Sequence, residues 1–146
     1  MLLGFLGLVL RAGAMVLPIA ATTLAAAGTA AAGGAVTIEV FWRADCPPCR
    51  RELPILPRIA ARHPDVAVVL VVLQDDGTPA RAFAADPQPN LAIRRFEGNQ
   101  ARLLAGYGNG LLGLPFAVAR DATGAVCATH YGVLGTDLAD AWAASC

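Results

Sequence analysis

Residues 66–73 form an unbroken apolar run, Val-Ala-Val-Val-Leu-Val-Val-Leu, and this segment constrains the fold more than any other. A strand with one wet face alternates apolar and polar residues; a strand without alternation is covered on both faces. Such strands belong to parallel sheets with helices packed on either side, so the run predicts an α/β domain. The flanking sequence fits. Residues 36–42, Val-Thr-Ile-Glu-Val-Phe-Trp, are rich in β-branched and aromatic side chains and read as a strand. Residues 49–63 carry Leu53, Leu56, Ile59 and Ala60 at helical spacing, and Pro64-Asp65 ends that helix. Thr78 is positioned to cap a short helix running to Ala85, and residues 91–96 read as a short strand or the edge of an insertion. Residues 99–107 read as a further helix. Residues 116–120 and 125–131 are two strands joined by the turn Asp121-Ala-Thr-Gly124. A last helix starts at Thr136 and turns Leu138, Ala141 and Trp142 inward. The expected architecture is a mixed central sheet with helices on both faces.

The 146 residues suit one such domain. Eleven acids balance eleven arginines and there is no lysine, so the chain lacks the basic face of a nucleic-acid binder. Between Leu2 and Ile38 the only charge is Arg11. The pattern of a positive charge, an apolar run and then small residues at 25–32 resembles a secretory signal sequence. Residues 12–32 are also long enough for a membrane anchor. A third reading makes the segment a buried helix of the domain. The Gly33-Gly34 boundary divides residues 1–34, signal peptide or anchor, from a domain at 35–146. Either export reading places that domain outside the cytoplasm, where disulfides persist.

The chemistry points to Cys46-Pro-Pro-Cys49, which follows a strand directly and opens a helix. That placement brings two sulfurs within disulfide reach and sets the first at the positive end of the helix, where a thiolate is stabilised. Cys46 is then the exposed nucleophile and Cys49, one turn on, the resolving thiol. Pro47 and Pro48 suit the first helical turn, where amide hydrogens lack helical partners. They also remove two donors that could hold the Cys46 thiolate. Half a zinc site is the rival reading of a C-x-x-C, but Cys127, Cys146, His63 and His130 supply no second close-spaced knuckle. A structural bridge between Cys46 and Cys49 closes almost no loop and gains little. Cys127 and Cys146 are the second pair. Bridged, they pin the last helix to the sheet at a gain on the order of 3 kcal/mol. The strand face of Cys127, Thr129 and Tyr131 then points to that helix. A second redox relay and two free thiols are the alternatives.

The segment Phe41-Trp-Arg-Ala-Asp-Cys46-Pro-Pro-Cys49-Arg-Arg-Glu52-Leu-Pro54 resembles the active-site stretch of thioredoxin-fold proteins, and is most similar to the exported TlpA/ResA-like thiol–disulfide oxidoreductases. Gly113-Leu114-Pro115, followed by Asp121 and Gly124, resembles that family's G-x-P segment, strand and D-x-x-G turn. The resemblance covers about residues 36–145. It implies a thioredoxin-like fold and a cis bond before Pro115, with that proline lying against the cysteine pair. It also implies that Leu114 offers its backbone to a substrate chain and that Pro54 kinks the active-site helix. Glu52 is similar to the acid of this branch and would exchange a proton with Cys49. The family usually carries tryptophan before the first cysteine. Asp45 stands there instead, and its carboxylate disfavours the Cys46 thiolate unless it turns away to cap the helix. Glu39 matches neither pattern and reads as a residue on a strand edge or under a helix, while His63 and His130 read as structural.

The implied reaction is thiol–disulfide exchange with cysteine-containing proteins outside the cytoplasm, in the reductive direction, as in keeping apocytochrome or copper-site cysteines reduced. It needs no metal or organic cofactor, and turnover requires a reductant, which the family resemblance makes a membrane-bound electron donor. A non-catalytic binding module or a copper chaperone using the same two sulfurs is the alternative from another class.

Overall fold

A computed structural model describes residues 36–146. The expectations for residues 1–34 lie outside the described residues. Ten elements follow in order: β1 (Val36–Arg43), α1 (Pro47–Glu52), α2 (Leu56–Arg62), β2 (Val66–Gln74), α3 (Thr78–Ala85), β3 (Leu91–Arg95), α4 (Gln100–Gly106), β4 (Phe116–Arg120), β5 (Val126–Tyr131) and α5 (Thr136–Ser145). The five strands make one mixed sheet in the order β3-β2-β1-β4-β5. β2 pairs in parallel with β1 and with β3, while β4 runs antiparallel to both β1 and β5.

β1 holds the middle of the sheet and β2, the unbroken apolar run, is the inner strand beside it. Alternation along β1 sends Val36, Ile38, Val40 and Trp42 into one core, which Leu53, Leu56, Ile59 and Ala60 cover together with Leu134, Ala139 and Trp142 around α5. Phe41 enters a second core on the opposite face with Val71, Leu73, Phe116, Val118 and Leu104 of α4. Both faces are dry, which explains why the sequence of β2 carries no polar alternation.

Several local expectations are corrected. The helix expected over 49–63 begins earlier, at Pro47, and breaks at 53–55 into α1 and α2. Pro54 sits in the break, where a proline can neither donate a helical hydrogen bond nor admit the carbonyl four residues back. Thr78 does not cap α3. Gly77 does, at φ +77°, and the first amides are served by Asp75 Oδ1, accepting from Gly77, and Asp76 Oδ1, accepting from Thr78. On α5 Ala139 faces the core beside Trp142, and Ala141 faces solvent. Of the two places expected for Glu39, a strand edge is excluded, and the residue lies on the sheet face that α4 covers. It stands buried on the middle strand, facing the α4 side, where Arg94 and Arg120 both donate to its carboxylate. Arg120 also donates to the Tyr107 phenol and stacks 5.0 Å from that ring's centre.

Cys127 and Cys146 form a disulfide, with 2.04 Å between sulfurs. The face expected to carry Cys127 toward α5 is the wrong one. Tyr131 packs at 4.9 Å on Phe116, in the α4-side core, whereas Ala128 packs on the core that α5 covers. The register jumps from Ala119↔Ala128 to Arg120↔Val126, leaving Cys127 as the extra residue of a bulge. A bulge re-aims one side chain, and this one brings Cys127 to the chain end beyond α5.

Candidate active site

Cys46 occupies the N-cap of α1, and Pro47 and Pro48 fill the first helical positions. The first amide able to face the Cys46 sulfur is therefore that of Cys49, which donates to it at 3.3 Å. The two cysteines are joined as a disulfide, 5.3 Å apart at Cα. Cys46 is half-buried and Cys49 fully enclosed, so an incoming group meets Cys46 first.

Asp45, next to the cysteine, turns away, but not to cap the helix. Its carboxylate takes a two-pronged contact from Arg43, at 3.0 and 2.9 Å, and Arg43 also donates to Gln74. The negative charge beside Cys46 is thus met by a guanidinium on the preceding strand. Arg50 donates to the Ala44 carbonyl and pairs with Asp76, tying α1 to the end of β2.

Glu52 sits one helical turn beyond Cys49 on the same buried face of α1. Its side chain is wholly enclosed. Oε1 accepts the Leu134 N–H, while Oε2 has no hydrogen-bond partner among the described residues. Burial disfavours the carboxylate and raises its pKa from 4.5 to about 7, against the opposing pull of the Leu134 amide. A carboxyl in that range releases and accepts protons at neutral pH.

The Leu114–Pro115 peptide is cis. β4 pairs Phe116 with Phe41, so the register extended backward sets Pro115 level with Trp42 and Leu114 level with Arg43. Pro115 therefore flanks the end of β1 that leads into Cys46. Pro115 is buried and Leu114 half-buried, and no hydrogen bond among the described residues uses the Leu114 N–H or C=O.

Sequence reasoning missed Asn109. Its side chain is fully buried, accepts the Gly113 N–H at 3.0 Å and donates to the Gly113 carbonyl at 2.8 Å. That double contact closes the turn leading into Leu114-Pro115. An asparagine between two glycines was the available signal, since Asn side chains commonly serve backbone groups in turns. His63 joins Arg62 on Asp140, linking α2 to α5, and His130 stands on β5 opposite Ala117 of β4.

The Redoxin family profile matches residues 11–144. A curated relative, the thiol:disulfide interchange protein DsbE homolog of Paracoccus denitrificans, is 41% identical over 66 residues, which are 40% of this chain and 37% of that protein. The match thus spans little more than a third of that relative. Among solved structures, a thioredoxin-related protein from Neisseria meningitidis serogroup B aligns with a TM-score of 0.62 at 23% identity, covering 76% of this chain and 84% of the other. The pneumococcal exposed lipoprotein thioredoxin from Streptococcus pneumoniae aligns with a TM-score of 0.61 at 22% identity, covering 81% and 90%. The fold is thioredoxin-like, and the chain belongs to the Redoxin family.

Proposed function

We propose that this protein is a thiol–disulfide oxidoreductase of the TlpA/ResA-like, DsbE-related type, acting on cysteine-containing proteins outside the cytoplasm. The observation that carries the reading is the asymmetry of the pair: Cys46 accessible at the helix N-cap, Cys49 enclosed one turn behind it, Glu52 one turn further in. The DsbE homolog's name supports the activity, and the exposed lipoprotein among the structural neighbours supports the location.

Reduced Cys46 attacks a substrate disulfide as its thiolate, held by the Cys49 amide and the start of α1. A Cys46–substrate bond forms, the substrate's own S–S bond breaks, and one substrate sulfur leaves as a thiolate that takes a proton from solvent. The Cys49 thiol then passes its proton to the Glu52 carboxylate and attacks Cys46. The second substrate thiolate departs, and two electrons have moved from the pair to the substrate. Leu114 supplies backbone groups that no described residue uses, so an extended substrate chain can bond to it as an added strand does, with Pro115 shaping that surface. The Cys127–Cys146 bridge is structural. A membrane-bound donor returns the electrons, and residues 1–34 serve as a cleaved export signal or an anchor.

Insulin reduction tests the reading. The wild-type protein, kept reduced by dithiothreitol, speeds precipitation of the insulin B chain, and Cys46→Ser does not. Equal rates for the two proteins overturn it.

A further inference from the structure

The turn between α4 and Pro115 holds two leucines in water. Leu111 is 91% exposed and Leu112 45%, and Leu112 has φ +56°, the only non-glycine residue in the left-handed region among those described. Scattered exposed leucines are ordinary. A leucine kept in a backbone conformation that glycine or asparagine adopts without strain is not, and such outliers gather at functional surfaces. The turn is also braced. Asn109 grips both backbone groups of Gly113, the Leu112 amide donates to the Asn109 carbonyl, and the Tyr131 hydroxyl donates to the Gly108 carbonyl at 3.0 Å. The Tyr131 ring closes over Gly113, whose missing Cβ would lie 3.6 Å from it. Bracing of this kind fixes the leucines outward rather than letting them fold onto the core.

The turn runs directly into Leu114, whose N–H and C=O have no hydrogen-bond partner among the described residues. A polypeptide bonded along Leu114 is extended and sends alternate side chains to opposite sides, and Leu112 and Leu111 stand only two and three residues before Leu114 in the chain. We infer that Leu111 and Leu112 determine specificity in the proposed exchange reaction. They give an apolar seat to a hydrophobic side chain neighbouring the substrate cysteine, as found in unfolded cysteine-containing segments. The inference rests on the oxidoreductase reading and names the kind of segment it would select.

The test uses the reduced full-length protein and two disulfide-linked peptide dimers, Gly-Ser-Leu-Cys-Leu-Ser-Gly and Gly-Ser-Ser-Cys-Ser-Ser-Gly, with acid-quenched rates read by chromatography. Wild type reduces the leucine peptide about tenfold faster, the ratio expected from burying most of one leucine side chain. Leu111→Ser brings the ratio close to one. Leu112→Asn, which keeps the left-handed backbone without strain, also lowers it. Equal wild-type rates on both peptides overturn the leucine assignment and leave the exchange reading intact, as does a preference that survives in both variants. Wild-type self-association that Leu111→Ser abolishes, with the peptide ratio unchanged, assigns the leucines to a contact between copies and likewise overturns it. Reaction with neither peptide overturns the exchange reading itself, and this inference with it.

Discussion

Glu52, on the helix that begins with the cysteines, accepts a hydrogen bond from the backbone of Leu134, 82 residues later, in the segment that leads into α5. The contact joins the cysteine helix to the far end of the chain. Burial of the carboxyl, whose other oxygen has no partner among the described residues, is why the group resists ionisation despite this contact.

Stability depends on pH through this residue. Below pH 4.5 Glu52 is neutral in both folded and unfolded chains. Between 4.5 and about 7 the unfolded chain gives up the proton first, so stability falls as pH rises, and above about 7 the loss is complete. A displacement of this size corresponds to roughly 3 kcal/mol. Glu52→Gln keeps an acceptor for Leu134 and removes the titration, so urea unfolding of the variant loses this slope between pH 4.5 and 7. In turnover, the same variant slows the step in which Cys49 attacks by about a hundredfold at pH 7. A slope equal to wild type rules out Glu52 as its source.

The bridge between the β5 bulge and the chain end acts on the unfolded chain. With a sequence separation of 19, its removal by Cys127→Ala with Cys146→Ala costs about 3 kcal/mol, mostly denatured-state entropy. The melting temperature drops by roughly 10 °C. The rate of insulin reduction at 25 °C is predicted to stay at the wild-type value, as a purely structural bridge requires. A loss of that activity in the still-folded variant would make the pair a redox relay instead.

Glu39 is a structural anion. Truncation to alanine leaves Arg120 partly buried, without its carboxylate, beside the Tyr107 ring. Breaking a buried ion pair from one side costs about 3 kcal/mol, visible as an earlier urea midpoint. Its side chain lies on the α4 side of the sheet, opposite Cys49 and the Leu134 segment. The reduction potential of the Cys46–Cys49 pair in Glu39→Ala therefore equals that of wild type, and a shifted potential contradicts the placement.

The parts legible in the sequence were those written in local pattern. The apolar run of β2 announced a sheet covered twice, and a C-x-x-C between strand and helix announced the site. What stayed hidden depends on partners remote in the chain. Glu39 is explained by Arg94 and Arg120, which lie 55 and 81 residues away. The aim of Cys127 follows from a bulge, set by how β5 registers on β4, and alternation along β5 alone gives the opposite face. On α5, alanines at 139 and 141 offer too little contrast in hydrophobicity to reveal which turns inward. Asp45 was legible as a threat to the Cys46 thiolate, yet its neutralisation by Arg43 depends on side-chain directions at the end of β1. Asn109 escaped because its role exists only once the turn it closes is in place.

Trapping of the mixed disulfide shows which sulfur attacks first. Cys49→Ser, reduced and mixed with an equimolar disulfide-bonded protein such as insulin, retains the nucleophile and lacks the resolving thiol. Mass spectrometry of the non-reduced mixture is predicted to show one insulin chain attached at Cys46, and the same experiment with Cys46→Ser to show no adduct at Cys49. An adduct on Cys49 in preference to Cys46, or no adduct on either variant, rules out Cys46 as the attacking thiol.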